Sequence, residues 1–512
     1  MIDFSQDPSI TLGPLDGRYR ATAAPLVNYL SEAALHRNRV RVEVEWLIFL
    51  STYTRVLTRP AGLPAACEAD IAAAQAVPEG DTDAVRENGA EHLDVVEPAL
   101  DREEIAYLRA IPAAMGDAEL AEIAEIERTT RHDVKAVEYF IKRRLDEAEE
   151  KLGRATALSH FHEAVHIFAT SEDINNVAYA LGVREALAGV WLPAARELEN
   201  RLRQAAAKYA DIPMMAHTHG QPATPTTVGK EMAVFARRFA RALARVAADP
   251  ILAKFNGATG TYGAHVVSAP GEDWIALSRA FIEGLGLEWN PLTTQIEPSD
   301  WFADIAADMA HANRIAHNLA TDMWTYISLD YFHQNLAFQG STGSSTMPHK
   351  VNPIRFENAE ANLEISSALL ETLAQTLVTT RMQRDLTDST TKRNIGNALG
   401  HSVLAFHNLC GGLDGVDPNR VRLAEDLDHE WELLAEPIQQ AMRAASLRGA
   451  TGMEDPYERL KALTRGRKVG EQEMREFISG LGMPKDVEAR LLALTPADYV
   501  GLAGKLAGMI DA

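Results

Sequence analysis

Three long stretches of the chain repeat apolar residues at steps of three and four, and this spacing predicts long α-helices that each bury one face. The first stretch lies between Pro225 and Pro250, and the second follows Pro298-Ser299-Asp300, a segment that can begin a helix. The third lies in the proline-free run from Ile354 to Asp417. The repeating apolar positions are Val228, Met232, Phe235, Phe239, Leu243 and Val246, then Ile305, Met309, Ala312, Ala316, Leu319, Met323 and Tyr326, and finally Leu363, Leu370, Leu373 and Leu377.

Helices of about 25 residues exceed the roughly 11-residue average of globular proteins, so we expect them to pack in a bundle. Strand-like alternation is scarce, and the predicted fold is therefore all-α. Changes in composition suggest three domains. These are an N-terminal helical domain (1–159) with an acidic surface excursion near 60–104, a central long-helix bundle (160–413), and a small C-terminal helical domain (414–512).

Charge and cysteine content narrow the classes of function. The net charge of -22 disfavours a nucleic-acid binder or an anionic-membrane binder, because both partners call for a basic surface. Only Cys67 and Cys410 are present, which suits a reducing cytoplasm and leaves no disulfide framework. The segment MIDFSQDPSI lacks the features of a signal peptide, and no apolar run approaches the roughly 20 residues of a membrane span. We expect a cytoplasmic protein.

The segment Gly340–Pro353, GSTGSSTMPHKVNP, carries the strongest candidate chemistry. Its glycine- and serine-rich half suits a loop whose N–H groups approach a ligand closely. Its second half holds Lys350 and Asn352 between two prolines. We interpret the segment as a lid over an anionic substrate, and a polar linker between helices is the alternative.

Two other motifs suggest different chemistry. His162-Glu163-Ala164-Val165-His166 fits the H-E-x-x-H pattern of a zinc hydrolase, with Glu185 as a possible third ligand. Lys350 after a histidine also suits a pyridoxal-phosphate Schiff base, although that chemistry normally needs an α/β domain. The zinc hydrolase stays an alternative, and the helical pattern disfavours the pyridoxal-phosphate enzyme.

Seven segments together resemble the fumarase/aspartase superfamily and, within it, the adenylosuccinate lyase family in the branch found in many bacteria. The resemblance covers nearly the whole chain, and His349, where fumarases typically have glycine, helps to narrow it to this branch. The segments are DGRY (16–19), ERTTRHDVKAVEYF (127–140), TSEDINN (170–176), THGQPATPTTVGKEM (218–232), WNPLTTQIEP (289–298), GSSTMPHKVNPIRFEN (343–358) and QRDLTDST (383–390).

The resemblance implies a β-elimination that releases fumarate from adenylosuccinate or from the succinylated aminoimidazole carboxamide ribotide. It assigns the base to Ser344 and the acid to His219. A serine base needs strong local stabilisation of its alkoxide, for which Lys350 and loop N–H groups are the candidates. His132 orients the substrate or assists the acid, and Asp133 accompanies it.

The resemblance also implies the substrate contacts. Lys350 and Asn352 hold the carboxylates, and Thr170, Ser171 and Gln295 contact the succinyl part. The phosphate and ribose meet Arg18, Tyr19, Arg384, Ser389 and Arg393. Arg131 stands where some relatives carry asparagine, so it could add a phosphate contact or a salt bridge.

The resemblance further implies a homotetramer whose active sites draw residues from three subunits, with no metal and no organic cofactor. Long helices with wide apolar faces give independent support for assembly. The alternatives are another fumarate-releasing lyase of the superfamily, the zinc hydrolase, and a catalytically inactive structural bundle. Retention of Ser344, His219 and Lys350 argues against the last of these.

Overall fold

A computed structural model of the chain describes residues 11–76, 93–335, 347, 350–465 and 468–511. The helices among them are α1 (Arg20–Leu30), α2 (Glu32–Tyr53), α3 (Glu68–Gln75), α4 (Arg102–Ala113), α5 (Asp117–Thr130), α6 (Asp133–Leu152), α7 (Ser171–Ala186), α8 (Leu192–Lys208), α9 (Val228–Ala248), α10 (Gly263–Ser268), α11 (Trp274–Gly284), α12 (Asp300–Ser328), α13 (Ile354–Leu377), α14 (Thr387–Lys392), α15 (Ile395–Asp414), α16 (Arg420–Asp428), α17 (Ala435–Leu447), α18 (Pro456–Thr464), α19 (Glu471–Ser479), α20 (Lys485–Ala493) and α21 (Ala503–Ala507).

The strands are short and pair only in twos within the described residues. They are β1 (Pro213–Thr218) with β2 (Gln221–Thr227), β3 (Leu252–Ala253) with β4 (Glu288–Trp289), and β5 (Phe332–Gln334) with β6 (Val416–Pro418). The first and third pairs are antiparallel, and the second is parallel. The predicted all-α class is therefore confirmed, with one short hairpin and two further short strand pairs beside the helices.

The three predicted long helices are present. Helix α9 has 21 residues, α12 has 29 and begins at the predicted Asp300, and α13 has 24. Every residue of the three apolar series is buried except Tyr326, which is half-buried. The proline-free run beyond α13 is not one helix, since it breaks before α14 and again before α15.

The chain forms two compact units. The first comprises the described parts of 1–193, 245–310 and 365–403, and the second comprises those of 194–244, 311–364 and 404–512. This division groups segments by contact, whereas the predicted domains 1–159, 160–413 and 414–512 follow the chain. The three-domain organisation stays a prediction.

Helix α2 lies at the centre of the first unit. It packs against α1, α4, α6 and α7, and most of its 22 residues are buried. Trp46 anchors it in an aromatic cluster, with ring centroids 4.3 Å from Phe255 and 4.9 Å from Phe281. A helix covered all round must also bury its polar residues, and Arg39 and Glu43 are among them. These buried groups bond to residues of other elements, Arg39 to Asp133 and Glu43 to His166.

In the second unit, the β1–β2 hairpin packs against α16 and against a 3₁₀ turn, Trp431–Leu434. Helix α9 follows it directly. Its second residue, Gly229, lies so close to the backbone of Ala206 and Ala210 that a Cβ would collide there. Farther along the chain, Leu434, Ile438, Met442, Met474 and Ile478 belong to a separate small hydrophobic core.

The H-E-x-x-H segment does not form the helical turn that a zinc motif needs. His162–Ala164 is a 3₁₀ turn, and His166 has a φ of 65°, outside any right-handed helix. The two imidazoles instead contact different carboxylates. His162 Nε2 lies 2.6 Å from Asp146 Oδ1, and His166 Nδ1 lies 2.5 Å from Glu43 Oε1. The zinc-hydrolase alternative thus loses its structural basis.

The acidic segment near 60–104 is partly packed, and its residues 77–92 lie outside the described ranges. Glu104 is fully buried, pairs with Arg59 at 2.8 Å and accepts from Thr156 Oγ1 at 2.7 Å. Asp70 is buried as well and accepts the backbone N–H of Cys67 and Arg102. The expected acidic surface therefore does not include these two carboxylates, which are buried and hydrogen-bonded.

Across the described ranges, no helix combines the length and the apolar character needed to cross a membrane.

Candidate active site

His219 stands at the tip of the β1–β2 hairpin in the second unit. Thr218 pairs with Gln221, so His219 and Gly220 form a two-residue loop, and both have positive φ, 54° and 72°. Positive φ at both positions is the requirement of a type I′ turn, the tight turn that suits twisted strands. The glycine adopts this backbone freely, but the histidine is strained. The turn therefore places His219, whose side chain is exposed, at the end of the hairpin.

His132 and Asp133 stand at the start of α6 in the first unit. His132 is the N-cap residue, and its Nδ1 accepts the backbone N–H of Lys135 at 3.2 Å, which leaves Nε2 to carry the proton in the neutral ring. Its side chain is 51% exposed, so Nε2 can reach a ligand. The preceding Arg131 ends α5 with a φ of 53° and is exposed.

Asp133 is held by two arginines. Its Oδ2 accepts from Arg39 Nη2 at 2.6 Å and from Arg393 Nη2 at 3.4 Å. Burial acts to raise the pKa of Asp133, but Arg39, the backbone N–H of Val134 and Arg393 outweigh it, and the pKa is lowered. The carboxylate is consequently ionised near neutral pH.

Arg393 extends from just beyond α14 toward α6. Its Nη1 donates to the backbone oxygen of Ser389 at 2.8 Å and to Ser389 Oγ at 3.0 Å, and its Nε lies 3.4 Å from Glu32 Oε2. The side chain is 39% exposed. It keeps exposed surface on which an anion could bind.

Thr170 and Ser171 stand at the start of α7, and the side chain of Asp173 holds this helix start in place. The Asp173 carboxylate is fully buried and accepts N–H groups from Thr170, Asn256 and Gly257 at 2.8 to 3.0 Å. It also pairs with the fully buried Lys254 Nζ at 2.8 Å. The helix start is therefore fixed to the 254–257 loop, and its N–H dipoles favour a negatively charged ligand.

Glu172, the next residue of α7, connects this helix start to Arg384. Glu172 Oε1 accepts from Arg384 Nη2 at 3.0 Å and from Asn175 Nδ2 at 2.9 Å. Arg384 Nη1 donates to Gln295 Oε1 at 3.3 Å. Arg384 remains 23% exposed, whereas Glu172 is almost completely buried. Gln295 and Arg384 thus form one contact pair beside α7.

A continuous polar network joins the predicted site residues around Asp133 to those around Arg384. Arg39 donates through Nε to Asn175 Oδ1 at 2.9 Å, and this bond connects Asp133 to Glu172. All residues of this network belong to the first unit. The network contains Ser389, Arg393, Asp133, Arg39, Asn175, Glu172, Arg384 and Gln295.

Other predicted site residues lie outside this network. Arg18 is exposed, with its Cζ 5.9 Å from the ring centroid of the half-buried Tyr19, just before α1. Lys350 is exposed and Asn352 is half-buried in the segment that leads into α13. This segment is held by Gln334, whose Nε2 donates to Val351 O at 2.9 Å.

Ser344 and the glycine- and serine-rich half of the predicted lid (Gly340–Pro353) fall in 336–346, and Pro348 and His349 likewise lie outside the described residues, so the lid stays a prediction. No group of three or more His, Cys, Asp or Glu side chains that could hold a metal ion occurs in the parts of the chain that the structure describes.

Sequence reasoning missed Arg39, Glu172 and Asn175. Glu172 and Asn175 lie inside the TSEDINN segment and could have been selected as polar residues near a helix start. Arg39 lies in a run of alternating arginine and valine, RVRVEVEW, and carries no local sign of function. Two partly exposed guanidinium groups, those of Arg384 and Arg393, lie with two helix starts in the first unit, which suits a substrate with several negative charges.

Two family models match the chain. A lyase family model matches residues 19–364, and a model described as adenylosuccinate lyase C-terminal matches residues 380–500.

Curated relatives match over nearly the whole length. The adenylosuccinate lyase of Escherichia coli K12 is 43% identical over 492 residues, 96% of each chain. That of Vibrio cholerae is 43% identical over 496 residues, 97% of each chain.

Solved structures share the fold at much lower identity. A fumarate lyase from Mesorhizobium sp. BNC1 has a TM-score of 0.66 at 17% identity and covers 96% of this chain and 97% of its own. A β-carboxy-cis,cis-muconate cycloisomerase from Acinetobacter calcoaceticus has a TM-score of 0.64 at 16% identity, with coverage of 95% and 97%. These structures support the fold alone.

Proposed function

The chain belongs to the adenylosuccinate lyase family of the fumarase/aspartase superfamily, and on that premise we propose that it cleaves adenylosuccinate to AMP and fumarate. A second substrate in this proposal is the succinylated aminoimidazole carboxamide ribotide, which carries the same succinyl-amino group. The observation that carries the proposal is 43% identity over 96% of the chain to an adenylosuccinate lyase. The partly exposed guanidinium groups of Arg384 and Arg393 support it, because both substrates carry a phosphate and two carboxylates.

The proposed reaction is a β-elimination. A base removes a proton from the carbon beside one carboxylate, the C–N bond breaks, and the departing nitrogen takes a proton from an acid. We assign the acid to His219. Its exposed position at the hairpin tip supports this role, because a proton donor must be able to reach the leaving nitrogen.

We assign the base to Ser344, which lies outside the described residues. The assignment rests on the family resemblance of the segment GSSTMPHKVNP. An alkoxide at this position requires nearby positive charge, and Lys350 is the closest cation in sequence. Lys350 and Asn352 also bind the carboxylates in this proposal, and the exposure of Lys350 in the segment before α13 supports its role.

We assign the remaining roles from the family resemblance, and contacts within the first unit support some of them. Thr170, Ser171 and Gln295 contact the succinyl part, supported by the dipole of α7 and by the Gln295–Arg384 hydrogen bond. The phosphate and ribose meet Arg18, Tyr19, Arg384, Ser389 and Arg393. His132, whose side chain is 51% exposed, orients the substrate or assists His219, with Asp133 and the exposed Arg131 on either side of it in the chain.

The enzyme in this proposal is a cytoplasmic homotetramer with active sites shared between subunits. The exposed position of His219 on a hairpin tip supports a contribution to another subunit's site. Large exposed apolar side chains at Leu292, Met382 and Leu386 border Gln295 and Arg384 in sequence and suit an interface. The unpaired cysteines suit a reducing compartment. Sedimentation of the purified protein measures the assembly, and a monomer with full activity would contradict it.

A substrate comparison tests the proposed activity. Loss of the N6-succinyl purine absorbance reports adenylosuccinate turnover, and fumarate release reports turnover of argininosuccinate, aspartate and malate. We expect turnover of adenylosuccinate and at least about 1,000-fold lower kcat/KM for the others, because the purine nucleotide contacts are missing. Preferential turnover of argininosuccinate, aspartate or malate would assign the chain a different activity in the superfamily.

A further inference from the structure

Arg39 on α2 is buried in a way that folding alone does not favour. Its side chain is only 2% exposed, and its Nη1 is buried with no hydrogen-bond partner among the described residues. A buried charge with an unpaired nitrogen costs free energy, and apolar residues of similar volume are often at least as stabilising as a buried ion pair. Such local violations of the packing rules concentrate at functional sites.

The two partners of Arg39 belong to the starts of two different helices. Nη2 bonds to Asp133, the first residue of α6, and Nε bonds to Asn175 in the second turn of α7. Helix α6 carries His132 at its N-cap, and α7 carries Thr170 and Ser171 at its start. One planar guanidinium therefore sets the distance and angle between two helix starts, both of which carry proposed substrate contacts.

We propose that Arg39 is a positioning residue of this active site, which aligns the His132–Asp133 start of α6 with the Thr170–Ser171 start of α7. This inference rests on the proposed function of the site. It assigns Arg39 no contact with substrate. Its effect passes through Asp133 and through Asn175, which in turn donates to Glu172 beside Arg384.

Misalignment of the two helix starts changes the rate more than the affinity. Substrate still meets the same contact groups, but a displacement of about 1 Å can lower a rate about 100-fold. We therefore expect Arg39→Lys, which keeps the charge and loses the two-pronged geometry, to lower kcat for adenylosuccinate about 30- to 100-fold. KM should change by less than about 5-fold.

Arg39→Met adds a readout that a purely structural role would not move. The titratable and charged groups around Asp133 are Arg39 and His36 from α2, Arg393 from beyond α14, and His132 beside it. Glu32 of α2 pairs with Arg393. After burial, which raises the Asp133 pKa, Arg39 is the largest influence and lowers it. Loss of its charge should raise that pKa and shift the acid limb of the kcat/KM profile to higher pH.

Arg59→Lys is the matched control. Arg59 is also a buried arginine of the first unit, 7% exposed, and it pairs with Asp101 and Glu104 at 2.8 Å, none of them a proposed site residue. It should lower the melting temperature about as much as Arg39→Lys, with kcat within about 3-fold of wild type and an unshifted acid limb.

The outcomes separate this inference from the proposed function. An active wild type whose Arg39→Lys variant loses no more kcat than Arg59→Lys would overturn the inference alone. An unshifted acid limb in Arg39→Met would overturn the part of it that acts through Asp133. A folded wild type with no turnover of adenylosuccinate would overturn both the inference and the proposed function.

Discussion

Replacement of Lys254 by methionine removes one charge of the fully buried Asp173–Lys254 pair. Loss of one partner from a buried ion pair usually costs about 3 to 5 kcal/mol. Asp173 keeps three backbone N–H donors at 2.8 to 3.0 Å, so we place Lys254→Met at the lower end, about 3 kcal/mol. Asp173→Asn removes the negative charge beside Lys254 and leaves its Nζ with neutral acceptors, the new amide oxygen and the carbonyl of Gly257 at 3.4 Å. The new NH2 group also faces backbone N–H donors, so we place this variant near the upper end, about 5 kcal/mol.

These values translate into melting temperatures. For a cooperative unit of roughly 300 residues, about 3 kcal/mol lowers the melting temperature by roughly 5 °C and about 5 kcal/mol by roughly 8 °C. Calorimetry at a fixed scan rate and protein concentration measures both variants. Arg279→Met, at an exposed helical ion pair with Glu283, is the control and should change stability by less than about 0.5 kcal/mol.

Two results would refute this reasoning about the Asp173–Lys254 pair. One is a Lys254→Met variant with the same melting temperature as the Arg279→Met control. The other is an Asp173→Asn variant that melts above Lys254→Met. Because the pair fixes the start of α7, we also expect both variants to lose turnover through Thr170 and Ser171.

The remaining predictions concern three single positions. Burial lowers the pKa of His265 to about 4, so the stability it contributes is fully present above pH 6.5, its ordinary pKa, and falls by up to about 3 kcal/mol as the pH drops toward 4. In denaturant unfolding, His265→Phe should lose less stability than wild type between pH 6.5 and 4. An equal loss would show that His265 is not the source of the pH dependence. Gly220→Ala places a Cβ at a φ of 72° beside His219, and should cost about 1 to 2 kcal/mol and lower kcat, which thermal melting and turnover measure. Unchanged values of both would show that the turn tolerates other geometries. Arg131→Asn puts a residue favoured at positive φ at the end of α5 and should raise stability by about 0.5 to 1 kcal/mol in denaturant unfolding. A loss of stability would instead indicate a stabilising contact of the arginine side chain.

Local pattern was sufficient to predict the long helices. The apolar series of α9, α12 and α13 depends on spacing within one element, and Asp300 marks the start of α12 by its own chemistry. The β1–β2 hairpin was not predicted, because its strands are short and interrupted by proline and by a register shift between Met215 and Ala216. Family resemblance pointed to His219 there, and the structure places it in a two-residue turn at the hairpin tip.

Buried charges escaped sequence reasoning because their partners lie far away along the chain. Arg39 and Asp133 are 94 residues apart, and Glu104 is buried against Arg59 at a separation of 45. Nothing within α2 distinguishes Arg39 from the neighbouring arginines until α6 and α7 pack on either side. The same holds for the H-E-x-x-H segment, where the backbone turns at His166 and removes the helical face that the motif requires.

The most direct test of the account is product analysis of adenylosuccinate turnover. Chromatography of the wild-type reaction should show fumarate and AMP formed in equal amounts, and Ser344→Ala should lower the rate by about 100- to 10,000-fold, the usual contribution of a general base. Absence of both products from a folded wild-type enzyme would contradict the assigned activity. Near-normal rates in Ser344→Ala would contradict the assigned base.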